Sequence, residues 1–68
     1  MQKVKIDTDF IKLDQFLKWS GAVSSGVDAK FLVQNGEVSV NGHVETQRGK
    51  KLRPGDTVEY EGVLYEVC

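Results

Sequence analysis

Sixty-eight residues suffice for one domain that buries roughly 60 % of the surface its unfolded chain exposes, too little to wall a catalytic pocket on all sides. The one cysteine, Cys68, excludes an intramolecular disulfide, and no apolar run approaches the roughly 20 residues that cross a bilayer. With 9 Lys+Arg against 10 Asp+Glu the formal net charge is −1, which argues against an all-over polyanion binder but leaves a basic face open.

The first residues alternate charged and apolar side chains and lack the apolar stretch of a secretion signal, so a cytoplasmic protein is expected. Residues 3–6 fit a short strand. From Asp9 the period lengthens. Phe10, Leu13, Phe16 and Leu17 recur every three or four residues, which predicts an amphipathic helix capped by Thr8 or Asp9 and stopped by Gly21. Ser25 with Asp28 matches a capping box and predicts a second helix, with Ala29, Leu32 and Val33 as its buried stripe and Gly36 as its stop.

The period then becomes two. "EVSV" and "HVET" flank Asn41-Gly42, the signal for a hairpin with a type I′ turn. Pro54-Gly55 marks a further turn, and "TVEY" and "VLYEV" around Glu61-Gly62 predict a second hairpin. Helix, helix, strands is the order of a small α+β domain, two N-terminal helices packed on an antiparallel sheet. One domain over 1–68 is expected, with its core at about 10–60.

Charge is sorted along the C-terminal half. Residues 46–54 hold Arg48, Lys50, Lys51 and Arg53 and no acid, whereas 56–68 hold Asp56, Glu59, Glu61 and Glu66 and no cation. Burying unpaired cations costs several kcal/mol each, so the basic segment must be solvated or meet an anion. Arg forks suit phosphate, and Lys adds point charges. The second helix offers a related surface: "SSG" puts backbone N–H groups at a positive dipole end, and Gly26, Lys30 and Gln34 share a face opposite the apolar stripe. Lys12 and Lys18 on the first helix extend it.

"KLDQFLKWSGAVSSGVDAKFLVQNGEVSVNG" followed by "KLRPGD" resembles the S4 domain, an RNA-binding module named after a ribosomal protein. Leu13, Asp14, Gly21, Ser25, Ala29, Gly36, Val38, Val40, Asn41, Gly42, Gly55 and Asp56 fit its pattern, and the chain is most similar to the small stand-alone S4-like proteins of bacteria. Two positions depart. The usual opening Arg is Lys12, which keeps the charge but not the fork, and the Arg of the usual Ser-Arg pair is Gly26. The resemblance implies structured, commonly ribosomal, RNA as partner, read by phosphate and shape. With the basic segment and the polar helix face, this makes Lys12, Ser25, Gly26, Lys30, Gln34, Arg48, Lys50, Lys51 and Arg53 the expected RNA contacts, in a non-catalytic monomer expected to act in ribosome assembly or translation; the acidic hairpin could dock a ribosomal protein as a further partner.

Other chemistry has little support. His43 follows the hairpin turn with no nucleophile beside it, Ser24 and Ser25 are better read as helix caps, and one Cys with one His cannot build a zinc site. No cofactor or metal is expected. Asp14 is expected to pair with Lys18, and Trp19 to be core or half-buried, which disfavours stacking on single strands. A ubiquitin-like sulfur carrier shares the hairpin and Gly-Asp corner but needs a C-terminal Gly-Gly, and this chain ends "YEVC". A protein-binding adaptor using the acidic hairpin is the remaining alternative.

Overall fold

Hydrophobic period, caps and turns produce an α+β fold in the computed structural model, which describes all 68 residues. The elements are β1 (Gln2–Val4), β2 (Ile11–Lys12), α1 (Leu13–Trp19), α2 (Gly26–Gln34), β3 (Val38–Val40), β4 (His43–Val44), β5 (Lys51–Leu52), β6 (Thr57–Tyr60) and β7 (Val63–Val67). Strands β1-β7-β6-β3-β4 form one sheet, and β2 and β5 a separate two-stranded ladder.

The sheet is mixed rather than antiparallel, and two strands precede the helices. β1 runs parallel to β7, with Gln2 opposite Tyr65 and Val4 opposite Val67, while the other neighbours are antiparallel. Period-two alternation shows which residues face the core but is blind to strand direction. β3 occupies one edge of β6, so the free edge of the last hairpin is that of β7, and β1 takes it.

The first helix begins later than its apolar stripe suggests. Thr8 Oγ1 donates to the Phe10 carbonyl at 2.8 Å, which holds 8–10 in a turn, and Ile11 and Lys12 pair with Leu52 and Lys51 instead of joining the helix. Neither Thr8 nor Asp9 caps α1. Its cap position is Lys12, with extended backbone and no side-chain cap, and Phe10 lies outside the helix. The exit is as expected, with the Gly21 N–H donating to Lys18 O at 3.0 Å.

For α2 the local signals suffice. Ser25 Oγ accepts the Asp28 N–H at 3.2 Å. At the other end, the Gly36 N–H donates to Val33 O and the Glu37 N–H to Leu32 O, both at 3.1 Å, which is a Schellman closure. Both hairpins form on two-residue turns. Asn41 and Gly42 have φ of 51° and 86°, Glu61 and Gly62 of 53° and 75°, as a type I′ turn requires at both central positions.

Twelve residues form one core. Leu13, Phe16 and Leu17 of α1 and Ala29 and Val33 of α2 pack on Val38, Val40, Val58, Tyr65 and Val67 from one face of the sheet. Leu32 is only half-buried, and Ile6, before the helices, joins the buried set with Tyr65 and Val67 of β7. The Phe16 ring meets Tyr65 edge-on, with centroids 6.3 Å apart and planes at 85°, a geometry worth about 0.5–1.5 kcal/mol beyond area burial. No helix is long and apolar enough to cross a membrane.

Candidate nucleic-acid interface

The basic segment is pinned by its backbone, which leaves its cations free. At its start, the first two N–H groups of α1 reach across to it: Leu13 N–H donates to Lys50 O at 2.8 Å and Asp14 N–H to Arg48 O at 3.1 Å. Helix N-termini carry N–H groups that the helix itself cannot satisfy, and here the loop carbonyls satisfy two of them. In the middle, Leu52 is fully buried, so the segment does send one side chain inward, contrary to a wholly solvated loop. At its end, the Arg53 N–H donates to Asp56 Oδ2 at 2.8 Å, and the Pro54-Gly55 turn closes through Asp56 N–H to Arg53 O at 3.0 Å.

The same Asp56 ties this turn to the first hairpin. Its Oδ1 accepts from Asn41 Nδ2 at 3.1 Å, and Asn41 Oδ1 accepts the Thr57 N–H at 2.9 Å. The Asn of "VNG" and the Asp of "PGD" are therefore two ends of one staple. Asp56 belongs to the acidic stretch by sequence, yet its carboxylate is engaged in positioning the cations.

Arg48, Lys50, Lys51 and Arg53 are all exposed, as is Lys12. Lys12 and Lys51 stand directly opposite one another in the β2–β5 ladder. Like charges in that position are destabilising, with Cβ atoms about 5 Å apart. The Lys51 ammonium leans over the Phe10 ring, 4.8 Å from its centroid, a cation–π contact that offsets part of the repulsion.

The α2 residues form a second patch, with Ser25 at the cap, Gly26 at the first helical position, Lys30 half-buried and Gln34 exposed. A Cβ built on Gly26 would lie 3.8 Å from Lys18 Cδ, so Lys18 of α1 sits beside the start of α2. Lys12 and Lys18 are about 9 Å apart along α1, at 1.5 Å per residue, and α1 thus runs between the two patches. The anion-binding capacity of the α2 N-terminus is tempered by Asp28 in its own first turn. Tyr60, in the groove on the other flank of α2, adds no negative charge. Partial desolvation first, then the hydrogen bond it donates to Glu61 Oε1 at 3.1 Å, hold its phenol above the ordinary value.

Two expectations about side chains fail. Asp14 turns Oδ1 back onto the Gln15 N–H at 2.8 Å instead of reaching along the helix to Lys18. Trp19 is 61 % exposed rather than core, because the buried face of α1 is filled by Leu13, Phe16 and Leu17, and position 19 falls outside that arc. Its indole N–H donates to Lys5 O at 2.9 Å. Sequence reasoning also missed the contact of Lys18 with the α2 start and the docking of the loop on α1. No local signal encodes either, since each joins segments far apart in the chain. His43 is exposed on β4 opposite Val40, and no group of three His, Cys, Asp or Glu converges as a metal-ligand set.

Known proteins are similar to this chain in sequence and fold. The family model described as "S4 domain" matches residues 4–68. A protein of Bacillus subtilis (strain 168) named "Probable ribosome maturation protein RlbA" is 46 % identical over 59 residues, covering 87 % of this chain and 83 % of its own. "Putative RNA-binding protein YbcJ" of Escherichia coli (strain K12) is 38 % identical over 57 residues, 84 % of this chain and 81 % of its own. The solution structure of YbcJ from E. coli, reported to reveal an alfaL motif involved in RNA-binding, superposes with a TM-score of 0.74 at 32 % identity, covering 98 % of this chain and 86 % of that one. The staple from Asn41 to Asp56, the capped α2 and the two hairpins thus sit in a matched span that takes in nearly the whole sequence, and the chain belongs to the S4 domain family.

Proposed function

We propose that this protein binds structured RNA, ribosomal RNA in particular, through phosphate and shape contacts made by Lys12, Arg48, Lys50, Lys51 and Arg53, with Ser25, Gly26, Lys30 and Gln34 as a second contact. The observation that carries this reading is the Lys12–Lys51 pair. Two lysines directly opposite, beside three more exposed cations on a backbone-pinned segment, are held together at a cost to folding. An anion that bridges them reverses the sign of that cost. The pinning matters as well, because cations on a fixed backbone lose less freedom when they bind.

The acids support an oriented approach. Val58 faces the core, so Glu59 points to the open face of the sheet, away from the helices, and Glu66 alternates in the same way with the buried Tyr65 and Val67. Lys3 stands opposite Glu66 on that face, so Glu59 is the acid left there without a cation across from it, while the basic segment attracts phosphate. The family membership and the relatives named for RNA binding and ribosome maturation point the same way, and a role in ribosome assembly or translation follows from ribosomal RNA as partner. Crosslinking in cells followed by sequencing of the bound RNA tests this directly. Ribosomal RNA should dominate the recovered fragments, and a set without it contradicts that choice of partner.

A further inference from the structure

Trp19 poses a question that RNA binding through phosphates leaves unanswered. Its ring is 61 % exposed, yet the indole N–H is fixed to Lys5 O at 2.9 Å, so the aromatic face is held in one orientation while open to solvent. The hydrogen bond ties the segment after β1 to the end of α1, but a polar side chain would do that without exposing an indole.

An open groove runs from this ring along the outer face of α1, between the helix and the segment that leads into β2. Its lining includes Trp19, Gln15, Phe10, Lys12, Asp7 and Asp9, and a shallower extension past Gln15 and Trp19 reaches Lys18. Lysines therefore stand at two margins of a groove with an aromatic platform. The carboxylates on its wall repel phosphate from the interior. What the groove accommodates is a flat, uncharged, hydrogen-bonding group whose two neighbours are anionic. An unpaired nucleotide in an RNA chain has that chemistry.

We propose that the groove between residues 7–12 and the outer face of α1 receives an unpaired nucleobase stacked on Trp19, with its flanking phosphates on Lys12 and Lys18. Lys12 and Trp19 are separated by about 10 Å along the helix, at 1.5 Å per residue, a distance that one nucleotide with its adjoining phosphates spans. The proposal rests on the RNA-binding reading above and narrows its substrate: structured RNA with an extruded nucleotide, in a bulge or loop, over an unbroken duplex. Stacking of a base on an aromatic side chain is insensitive to sequence, so the preference is for the extruded state rather than for a motif.

Trp19 is the only tryptophan, so its emission reports on this one position. The test uses two fluorescein-labelled RNA hairpins at one salt concentration, one fully paired and one with a single-nucleotide bulge. Labelled-RNA anisotropy measures binding and tryptophan emission measures stacking. Both hairpins should bind, the bulged one about ten-fold more tightly, and the bulged one alone should quench Trp19 strongly. Trp19→Leu should remove the bulge preference while retaining the affinity for the paired hairpin, and Trp19→Phe should keep part of the preference. Equal affinity for the two hairpins with unchanged emission overturns the stacking proposal and leaves RNA binding standing. Absence of binding to either hairpin overturns both. The wild-type quench keeps the test decisive even if the Leu variant fails to fold.

Discussion

Replacing Lys12 by Glu separates what the basic ladder does for folding from what it does for binding. Lys12 faces Lys51 across the β2–β5 ladder and occupies the cap position of α1. Reversing its charge turns a repulsive cross-strand pair into an attractive one, and each such pair is worth roughly 0.2–1 kcal/mol. It also places an anion at the positive end of α1, worth about 0.3–1 kcal/mol, toward the low end here because loop carbonyls already meet the first two N–H groups. The sum is a gain of about 1 kcal/mol, which raises the melting temperature of a domain this size by roughly 4–8 °C. RNA binding should move the other way, weakening while the slope of its salt dependence falls by about one unit. Thermal melts and anisotropy titrations of one preparation read both effects. A lower melting temperature refutes the claim that the pair is repulsive, and an unchanged RNA affinity removes Lys12 from the interface.

Gly26→Arg should fold normally, since the nearest neighbour of the new Cβ is the flexible Lys18 stem at 3.8 Å, and should tighten RNA binding measured by anisotropy. Unchanged or weaker binding would take the start of α2 out of the interface. Asp56→Ala removes the acceptor for Asn41 Nδ2 and the Arg53 N–H, so a loss of about 1–3 kcal/mol in urea melts is expected, with weaker RNA binding as the basic segment loosens. Gly42→Val meets no neighbouring atom, so its effect is conformational. At φ of 86° a β-branched residue should cost over about 1 kcal/mol, and an undiminished melting temperature would contradict the type I′ assignment.

What could be read from sequence and what could not divide along the distance between interacting residues. Ser25 capping α2, Gly21 and Gly36 closing the helices, and Asn41-Gly42 turning the hairpin are signals carried within a few residues, and they appear where expected. The β2–β5 ladder joins two-residue strands some forty positions apart, too short to show any period. Without it, Phe10 and Ile11 look like the start of a helix. The parallel course of β1 beside β7 escapes for a different reason: alternation marks a strand near residues 3–6 but carries neither its direction nor a partner some sixty positions away. In the candidate site, the cations were visible as residue types. Their backbone anchorage on α1, the Lys12–Lys51 opposition and the exposure of Trp19 depend on tertiary packing that no local pattern reports.

On the proposed reading, the clustered cations of the pinned basic segment bind phosphates. The most direct test is the affinity for a structured ribosomal RNA fragment across a salt series, for the wild type and for the Lys50→Glu/Lys51→Glu variant. If four to six phosphates are neutralised, log K against log[salt] should fall with a slope of about −3 to −5 in the wild type. The variant should lose most of its binding while keeping its fold, because both side chains are exposed. A salt-independent affinity, or a variant that binds as tightly as the wild type, would contradict the account.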